Sequence, residues 1–174
     1  MQFEFSPLRE ADLPILTDWL NRPHLQKWWR AGKITQDIVS KKYLPRIFNK
    51  DSAKPFLAYL ENIPTGYIQY YAVSECESNW WPDKPGPGIL GIDVFLANPN
   101  QLNRGIGTCM VSQFVDILFK DPKITEIRID PHPDNLRAIR CYEKVGFKKV
   151  GLITNPDGPA LMMTLDKKNF PRKT

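Results

Sequence analysis

Residues 101–108 read Gln-Leu-Asn-Arg-Gly-Ile-Gly-Thr and lie between an apolar run, residues 89–97, and a helical stripe that begins at Ile106. The apolar run does not alternate with polar residues, so it predicts a strand that is buried on both faces except at Asp93. A strand that leads through glycines into a helix forms an anion site, because free backbone N–H groups at the helix N-terminus point at the ligand. The segment therefore predicts a phosphate-binding turn, with a plain tight turn as the alternative.

A second segment, residues 135–147, reads Asn-Leu-Arg-Ala-Ile-Arg-Cys-Tyr-Glu-Lys-Val-Gly-Phe. Asn135 precedes a predicted helix, and Gly146 follows its last turn, where glycine commonly adopts a left-handed conformation. Isoleucines at 124, 127 and 129 predict a strand before this helix, and residues 147–153 predict a strand after it. The second half of the chain thus reads strand, loop, helix, strand, helix, which is typical of an α+β fold.

The remaining sequence supplies further helices and strands. Helical spacing of apolar residues predicts a helix over residues 10–20, and Thr35 is the predicted N-cap of a second helix that ends near residue 49. A hairpin is predicted from two β-prone runs, with its turn at Asn62-Ile63-Pro64-Thr65-Gly66. The other segments are an irregular stretch at 23–32, hairpin strands at 56–60 and 66–73, a loop at 75–88 and a last strand at 161–165.

The two quoted segments together resemble the GCN5-related N-acetyltransferases, whose signatures are Q/R-x-x-G-x-G/A between a strand and a helix and, further on, N-x-x-A-x-x-x-Y-x-K-x-G-F. Gly105 and Gly107 match the first signature, whereas Leu102 occupies its Q/R position and Gln101 is displaced by one residue. The resemblance implies an α+β fold with a mixed, mostly antiparallel central sheet of about six to seven strands flanked by about four helices. It also implies acetyl-CoA as co-substrate and no metal.

Several shorter motifs resemble, within that superfamily, the aminoglycoside 6′-N-acetyltransferases of the broad-spectrum plasmid-borne type. These motifs are Trp28-Trp29, Tyr43-Leu44-Pro45, Trp80-Trp81, Gly91-Ile92-Asp93, Phe95-Leu96-Ala97-Asn98 and Pro156-Asp157-Gly158-Pro159. The resemblance covers nearly the whole chain. It implies an antibiotic-resistance enzyme that transfers an acetyl group from acetyl-CoA to the 6′-amino group of aminoglycosides, directly in a ternary complex. The alternative is an N-acyltransferase that acts on the amine of a siderophore precursor or of a polyamine.

Acidic residues at the predicted strand ends fit the chemistry of amine acetylation. An aliphatic amine is mostly ammonium at neutral pH, and a nearby carboxylate can hold the cation and accept its proton. Asp93 is the candidate catalytic residue, because an unpaired carboxylate within an apolar strand is costly and a cationic partner is expected there. A structural ion pair is the alternative.

Two further aspartates accompany Asp93. Asp130 ends the next predicted strand and is expected to lie beside Asp93. Asp157 lies in a Pro-Asp-Gly sequence, and turn formation alone is the alternative explanation for this aspartate. The resemblance implies that all three aspartates line the aminoglycoside site and bind its ammonium groups.

The resemblance assigns further residues to the two substrates. Tyr142 matches the tyrosine that points at the coenzyme sulfur as general acid, with a core tyrosine as the alternative, and backbone N–H groups at Phe95 and Leu96 would form the oxyanion hole. The predicted cofactor-binding residues are Phe95, Leu96, Leu102, Asn103, Arg104, Gly105, Ile106, Gly107, Thr108, Asn135 and Ala138. The predicted substrate-binding residues are Trp28, Gln69, Glu77, Trp80, Trp81, Asp93, Asp130 and Asp157.

The paired tryptophans and Glu77 are predicted substrate-binding residues for different reasons. Tryptophan pairs in irregular segments suit flat sugar faces and cation–π contacts, with core packing as the alternative. Ser78 stands where the relatives carry an acid, and Glu77 adjoins it and is expected to substitute for it. The spectrum of accepted aminoglycosides therefore depends on this pair of positions.

The charge distribution favours a cationic small molecule over a nucleic acid. The net charge of +5 would by itself suggest a polyanionic partner. Residues 61–100, however, contain five acidic residues and a single lysine, so the basic charge lies elsewhere. Aromatic residues accompany these acids rather than clusters of lysine and arginine, which is unlike a nucleic-acid surface. A solvated acidic loop is the alternative.

The composition excludes several other classes of protein. No run of about eighteen apolar residues is present to span a membrane, and the N-terminus lacks the features of a signal peptide. Three cysteines without a CxxC pair and two histidines predict neither a disulfide framework nor a zinc site. We therefore expect a soluble, cytoplasmic enzyme with a single domain, residues 1–174, that is a monomer or weak homodimer and binds neither nucleic acid nor membrane.

Overall fold

A computed structural model describes residues 1–29, 32–76 and 79–171. Its strands are β1 Phe3–Pro7, β2 Lys54–Leu60, β3 Ile63–Ala72, β4 Ile89–Leu96, β5 Glu126–Ile129, β6 Lys148–Asn155 and β7 Gly158–Asp166. Its α-helices are α1 Leu13–Leu20, α2 Pro23–Gln26, α3 Gln36–Ile47, α4 Ile106–Leu118 and α5 Leu136–Val145.

The strands form a seven-stranded sheet in the order β1-β2-β3-β4-β5-β7-β6. β4 and β5 are parallel, whereas β1–β2, β5–β7 and β6–β7 are antiparallel. The predicted α+β class and the mixed, mostly antiparallel sheet are confirmed. α2 is a single turn within the segment that was expected to be irregular, and Pro23 at its first position fits the fixed backbone angle of proline there.

The chain divides into two compact units: the first contains Met1–Gln69 and Val94–Leu102, the second Tyr70–Asp93 and Asn103–Thr174. The boundaries fall within β3 and β4, so each of these strands contributes residues to both units. The sequence-based expectation of one domain, residues 1–174, stays a prediction.

The first unit has a core of apolar and aromatic side chains from its helices and strands. Thr35 caps α3 as predicted, since its hydroxyl accepts a hydrogen bond from the backbone N–H of Ile38. The β2–β3 hairpin turns at Glu61 and Asn62, which have positive φ angles of 52° and 62°. The hairpin is confirmed and its predicted turn, residues 62–66, includes Asn62, but its later part is wrong: β3 begins at Ile63, because the left-handed conformation of two consecutive residues already reverses the chain.

The second unit places the two recognised sequence segments next to each other. α4 follows the predicted phosphate turn, α5 begins after Asn135, and the two helices pack together. Gly146 ends α5 with a φ of 117°, as the sequence predicted. The site residues described below stand at the ends of β4 and β5 and in the turn before α4.

Candidate active site

Asp93 within β4 and Asp130, which directly follows β5, belong to neighbouring parallel segments. The register of this parallel pair runs from Ile89 opposite Glu126 to Gly91 opposite Arg128, and Asp93 and Asp130 each follow two residues after the last of these partners. Desolvation by burial and, after it, the negative charge of Asp93 raise the pKa of Asp130 to about 7. Asp130 therefore lies within the field of Asp93, as their predicted proximity requires.

Two hydrogen-bond donors orient the carboxylate of Asp130. The indole Nε1 of Trp80 donates to Asp130 Oδ2 over 3.1 Å, and Asn155 Nδ2 donates to the same oxygen over 2.8 Å. Both bonds lower the pKa of Asp130, but less than burial and Asp93 raise it. Trp80 thus binds one of the two acids, Asp130, and its predicted contact with substrate stays a prediction.

Asp157 is connected to this pair through Asn155. The backbone N–H of Asp157 donates to Asn155 Oδ1 over 2.9 Å, while the side-chain amide of Asn155 binds Asp130. The Asp157 residue is exposed at the turn between β6 and β7. The turn role considered in the sequence analysis is therefore real, and the role of the Asp157 carboxylate in substrate binding stays a prediction.

Two buried tyrosines lie within the field of the acid pair. Burial and then charges that include Asp93 and Asp130 raise the pKa of both Tyr71 and Tyr142 well above that of a free tyrosine. Both hydroxyls are consequently neutral hydrogen-bond donors at physiological pH. Gly91 makes room for the first of them, since a Cβ at this position would overlap the Tyr71 ring. The predicted role of Tyr142 as general acid toward the coenzyme sulfur requires a neutral hydroxyl donor. That role stays a prediction.

A buried arginine lies on the same strand as Asp130. Arg128 binds Asp83 with two hydrogen bonds of 2.6 and 3.0 Å, binds Glu126 over 2.6 Å, and places its guanidinium carbon 5.6 Å from the centre of the Trp81 ring. Its charge is thus satisfied by two carboxylates. Trp81 is buried and its ring packs on Arg128. The predicted contact of Trp81 with substrate stays a prediction.

The predicted phosphate turn has the backbone that anion binding needs. Asn103 and Gly105 have positive φ angles of 60° and 77°, and Gly105 is the N-cap of α4 without a side-chain cap. The first N–H groups of a helix have no intrahelical partner, so those of Ile106, Gly107 and Thr108 face the solvent end of the helix. Asn103 and Arg104 are exposed beside them. These residues can hold the pyrophosphate of a coenzyme.

Three other predicted cofactor residues take part in local hydrogen bonds. The Thr108 hydroxyl donates to Cys141 Sγ over 3.4 Å, so its backbone N–H rather than its side chain is directed to the helix terminus. Asn135 caps α5 by accepting from the backbone N–H of Ala138 over 3.3 Å. Contacts of Asn135 and Ala138 with the coenzyme arm stay predictions.

The first unit contains the other predicted residues. Phe95 and Leu96 are buried, and the Phe95 ring packs on Trp29 with a centroid distance of 4.9 Å, so only their backbone could serve the coenzyme. Leu102 is half-buried at the end of this unit. Gln69 is buried, and its Oε1 accepts hydrogen bonds from Arg46 and Tyr67.

These contacts bear on the two substrate-binding predictions for this unit. The carbonyl of Gln69 accepts two hydrogen bonds within the protein. Trp28 is half-buried under the ammonium group of Lys27, which lies 4.7 Å from its ring centre. Both substrate contacts stay predictions. Glu77 and Ser78 lie outside the described residues.

Sequence reasoning missed Asn155, Arg128, Tyr71 and Asp83. Asn155 had a usable signal, because an asparagine two residues before a turn aspartate commonly accepts a backbone N–H. Arg128 had another, since a charged residue between two isoleucines in a buried strand requires a partner. Nothing in the sequence named that partner as Asp83, which is 45 positions away.

The described part of the chain contains no group of three side chains that could hold a metal ion, and none of its helices is long and apolar enough to cross a membrane.

Comparison with known proteins adds family information to this geometry. The model of the acetyltransferase (GNAT) domain family matches residues 9–155. Aminoglycoside N(6′)-acetyltransferase type 1 of Klebsiella pneumoniae is 44% identical over 167 residues, which are 95% of this chain and 83% of that protein.

Solved structures show the same relationship. The structure of AAC(6′)-Ib in complex with parmomycin and acetyl-CoA is 42% identical in sequence to this chain and has a TM-score of 0.92. The match covers 97% of this chain and 96% of that chain. The structure of AAC(6′)-Ib with coenzyme A and kanamycin is also 42% identical, with a TM-score of 0.90 and the same coverage.

Proposed function

Since the chain belongs to the acetyltransferase (GNAT) domain family, we propose that it transfers the acetyl group of acetyl-CoA to the 6′-amino group of aminoglycosides. The observation that carries this proposal is the pair of Asp93, within β4, and Asp130, directly after β5: burial and then the charge of Asp93 raise the pKa of Asp130 to about 7. The relatives that act on or bind aminoglycosides support the choice of acceptor.

The acid pair serves both binding and proton transfer. An aminoglycoside carries several ammonium groups, and a cation between the two carboxylates replaces the proton that Asp130 otherwise shares at neutral pH. A carboxylate beside the reacting amine then takes its proton, directly or through water, so that the neutral amine can attack the thioester. Trp80 and Asn155 keep the Asp130 carboxylate in one orientation, which limits the cost of reaching the attack geometry.

Direct transfer in a ternary complex fits the chemistry of the cysteines. A covalent acetyl-cysteine intermediate would need a thiol with a lowered pKa. Burial instead raises the pKa of Cys141, whose sulfur accepts a hydrogen bond from Thr108. The proposal therefore has the amine attack the bound thioester itself, with the neutral Tyr142 hydroxyl as donor to the leaving sulfur.

The turn before α4 fits the coenzyme. The left-handed Gly105 exposes the first N–H groups of a helix with 13 residues, and Arg104 adds a charged donor. Acetyl-CoA supplies the activated acyl group when bound. The chain's own contribution is to hold the pyrophosphate on this backbone while the acceptor amine is held at the carboxylates.

An acceptor that carries its own carboxylate, such as an amino-acid precursor of a siderophore, fits this site less well. It would require a free cation near Asp93. Among the described residues of this region Arg128 is a buried cation, and its N–H groups already donate to Asp83 and Glu126. The polycationic acceptor is therefore favoured over the carboxylated one.

The test is a thiol-release assay with acetyl-CoA and a panel of acceptors: kanamycin, amikacin, gentamicin, spermidine and N-hydroxylysine. Neomycin and paromomycin add a matched pair, because the first carries an amino group and the second a hydroxyl group at position 6′. We expect turnover with kanamycin and neomycin and none with paromomycin. Turnover with spermidine or N-hydroxylysine in preference to kanamycin would contradict the proposal.

The setting of the enzyme is part of the same proposal. Its acceptor is a polycationic small molecule, its location is the cytoplasm, and it works as a monomer or weak homodimer without a nucleic-acid or membrane partner. In the described part of the chain Cys76, Cys109 and Cys141 form no disulfide, which suits a reducing compartment. Sedimentation of the purified protein with and without acetyl-CoA tests the oligomeric state.

A further inference from the structure

The loop between β3 and β4, residues 76–88, is fastened to β5 at three points within the described residues. At its end, the Gly88 carbonyl accepts the backbone N–H of Thr125 over 2.9 Å. In its middle, Asp83 receives two hydrogen bonds from Arg128. At its start, the Trp80 indole donates to Asp130. One short strand and the residues that flank it therefore hold the segment that carries both tryptophans.

The alternation of β5 explains how one strand can do this. Ile127 and Ile129 are buried, whereas Glu126, Arg128 and Asp130 are the alternate residues, and successive side chains of a strand point to opposite faces. The loop residues Trp80, Trp81 and Asp83 all contact Arg128 or Asp130. The polar face of β5 is thus the support of the tryptophan loop.

From these contacts we propose that Arg128 is a positioning residue for the acceptor site: by holding Asp83 and Trp81, it places the Trp80 indole on Asp130. The inference rests on the proposed function, since it concerns the site that we assign to the aminoglycoside. Arg128 touches neither substrate in this account. It acts on acceptor binding through Trp80.

Geometry favours this indirect route over a direct charge effect. The Arg128 guanidinium is 6% exposed and is saturated by two carboxylates, Asp83 and Glu126. The Trp80 indole, by contrast, donates directly to Asp130 Oδ2. Substitution of Arg128 should therefore weaken the hydrogen bond from Trp80 to Asp130, because it releases the loop that carries Trp80.

The two partners of Arg128 provide a matched pair of variants. Asp83→Asn removes the charge that fastens the loop, whereas Glu126→Gln removes the other charge and leaves the loop fastened. Both acids are partly exposed, at 49% and 24%, so both variants should fold. Loss of a charged hydrogen bond at Asp83 should raise the KM for kanamycin by about tenfold or more, with Glu126→Gln near the wild type.

Arg128→Met should show the same split as Asp83→Asn: a higher KM for kanamycin and an unchanged KM for acetyl-CoA. A second measurement separates positioning from stability. If Arg128 acts through Trp80, then Asp83→Asn and Trp80→Phe must be non-additive in kcat/KM for kanamycin. Trp80→Phe and Asp83→Asn should also shift the acidic limb of the pH profile in the same direction, because both weaken the indole bond to Asp130.

Any of three results would overturn the inference: equal increases in the KM for kanamycin in Asp83→Asn and Glu126→Gln, additive effects of Asp83→Asn and Trp80→Phe on kcat/KM, or equal increases in the KM for kanamycin and for acetyl-CoA. The proposed function stays intact in each case if the wild-type protein acetylates kanamycin. If the wild-type protein does not acetylate kanamycin at all, the proposed function fails instead. The indole N–H resonance of Trp80, assigned with Trp80→Phe, then still reports whether Asp83→Asn releases the loop.

Discussion

Asp130, which directly follows β5, lies in the field of Asp93 within β4: burial and then the negative charge of Asp93 raise the pKa of Asp130 to about 7. Two carboxylates that share a buried site cannot both ionise at low cost, so one of them retains a proton until a cation arrives. The same pairing that destabilises the free site therefore favours a polycationic acceptor. Trp80 and Asn155 donate hydrogen bonds to Asp130, and burial together with charges that include the pair raises the pKa of Tyr71 and of Tyr142.

Asp93→Asn tests the catalytic assignment. The amide cannot accept the proton of the ammonium group, so kcat should fall by about 10²–10⁴-fold. Acetyl-CoA binding, measured by calorimetry, should stay nearly unchanged, because the predicted pyrophosphate site is the turn at Gly105. Equal turnover by the variant and the wild type would remove Asp93 from the mechanism.

Asp130→Asn tests the cost of the acid pair through stability. The folded-state pKa of Asp130, about 7, is above the ordinary carboxyl value, so the folded protein binds more protons than the unfolded chain between the two pKa values. The contribution of Asp130 to stability is therefore complete below the ordinary carboxyl pKa and is lost as the pH rises to about 7.

Urea unfolding at pH 5 and pH 8 measures this effect. Asp130→Asn, which cannot ionise, should lose less stability than the wild type between these two values. Since Asp93, Tyr71 and Tyr142 also face Asp130, Asp93→Asn serves as a second variant and should reduce the wild-type pH dependence in part. Parallel stability profiles for wild type and Asp130→Asn would show that the pKa of this group is not raised.

Asn155 has two separable roles. Asn155→Asp keeps an oxygen for the Asp157 N–H but replaces the donor to Asp130 with a negative charge, whereas Asn155→Ala removes both contacts. Loss of the bond to Asp130 should cost about 1–3 kcal/mol in acceptor binding. We expect a higher KM for kanamycin in both variants, and an acidic limb of the pH profile that moves to higher pH. If Asn155→Asp were as active as the wild type, the bond to Asp130 would have no functional role.

Gly91→Ala tests the close packing of Tyr71 against β4. The added methyl group would overlap the Tyr71 ring, and overpacking of this kind costs about 1–3 kcal/mol. Gly151→Ala is the matched control, because a Cβ there meets nothing within 4 Å. Thermal unfolding should show a lower Tm for Gly91→Ala alone, and a similar Tm for both variants would place the Tyr71 ring elsewhere.

Local features of the fold could be predicted from the sequence, because the residues that specify them are neighbours in the chain. The glycine turn before α4, the Thr35 cap, and the Gly146 end of α5 are all confirmed, and each depends on backbone angles or hydrogen bonds within a few residues. The hairpin turn was predicted at residues 62–66 and begins one residue earlier, since Asn62 tolerates a left-handed conformation but Glu61 gives no such signal.

The support of the site could not be predicted in the same way. The meeting of Asp93 and Asp130 followed from neighbouring parallel strands, which the family resemblance supplied. The bonds from Trp80 to Asp130 and from Arg128 to Asp83 join positions 50 and 45 apart, and neither periodicity nor turn chemistry relates such positions. The register of β4 on β5 and the path of the loop determine these contacts. Both are properties of the tertiary structure and have no local signal in the sequence.

The central claim is that the Asp93–Asp130 pair exchanges a proton for an ammonium group of the acceptor. Calorimetric titration of neomycin at pH 7, in two buffers with different protonation enthalpies and with saturating CoA, measures the protons that accompany binding. The account predicts that the wild type releases about half a proton more than Asp130→Asn, because a bound cation drives the half-protonated Asp130 to its charged form. The same proton count in both proteins would contradict it.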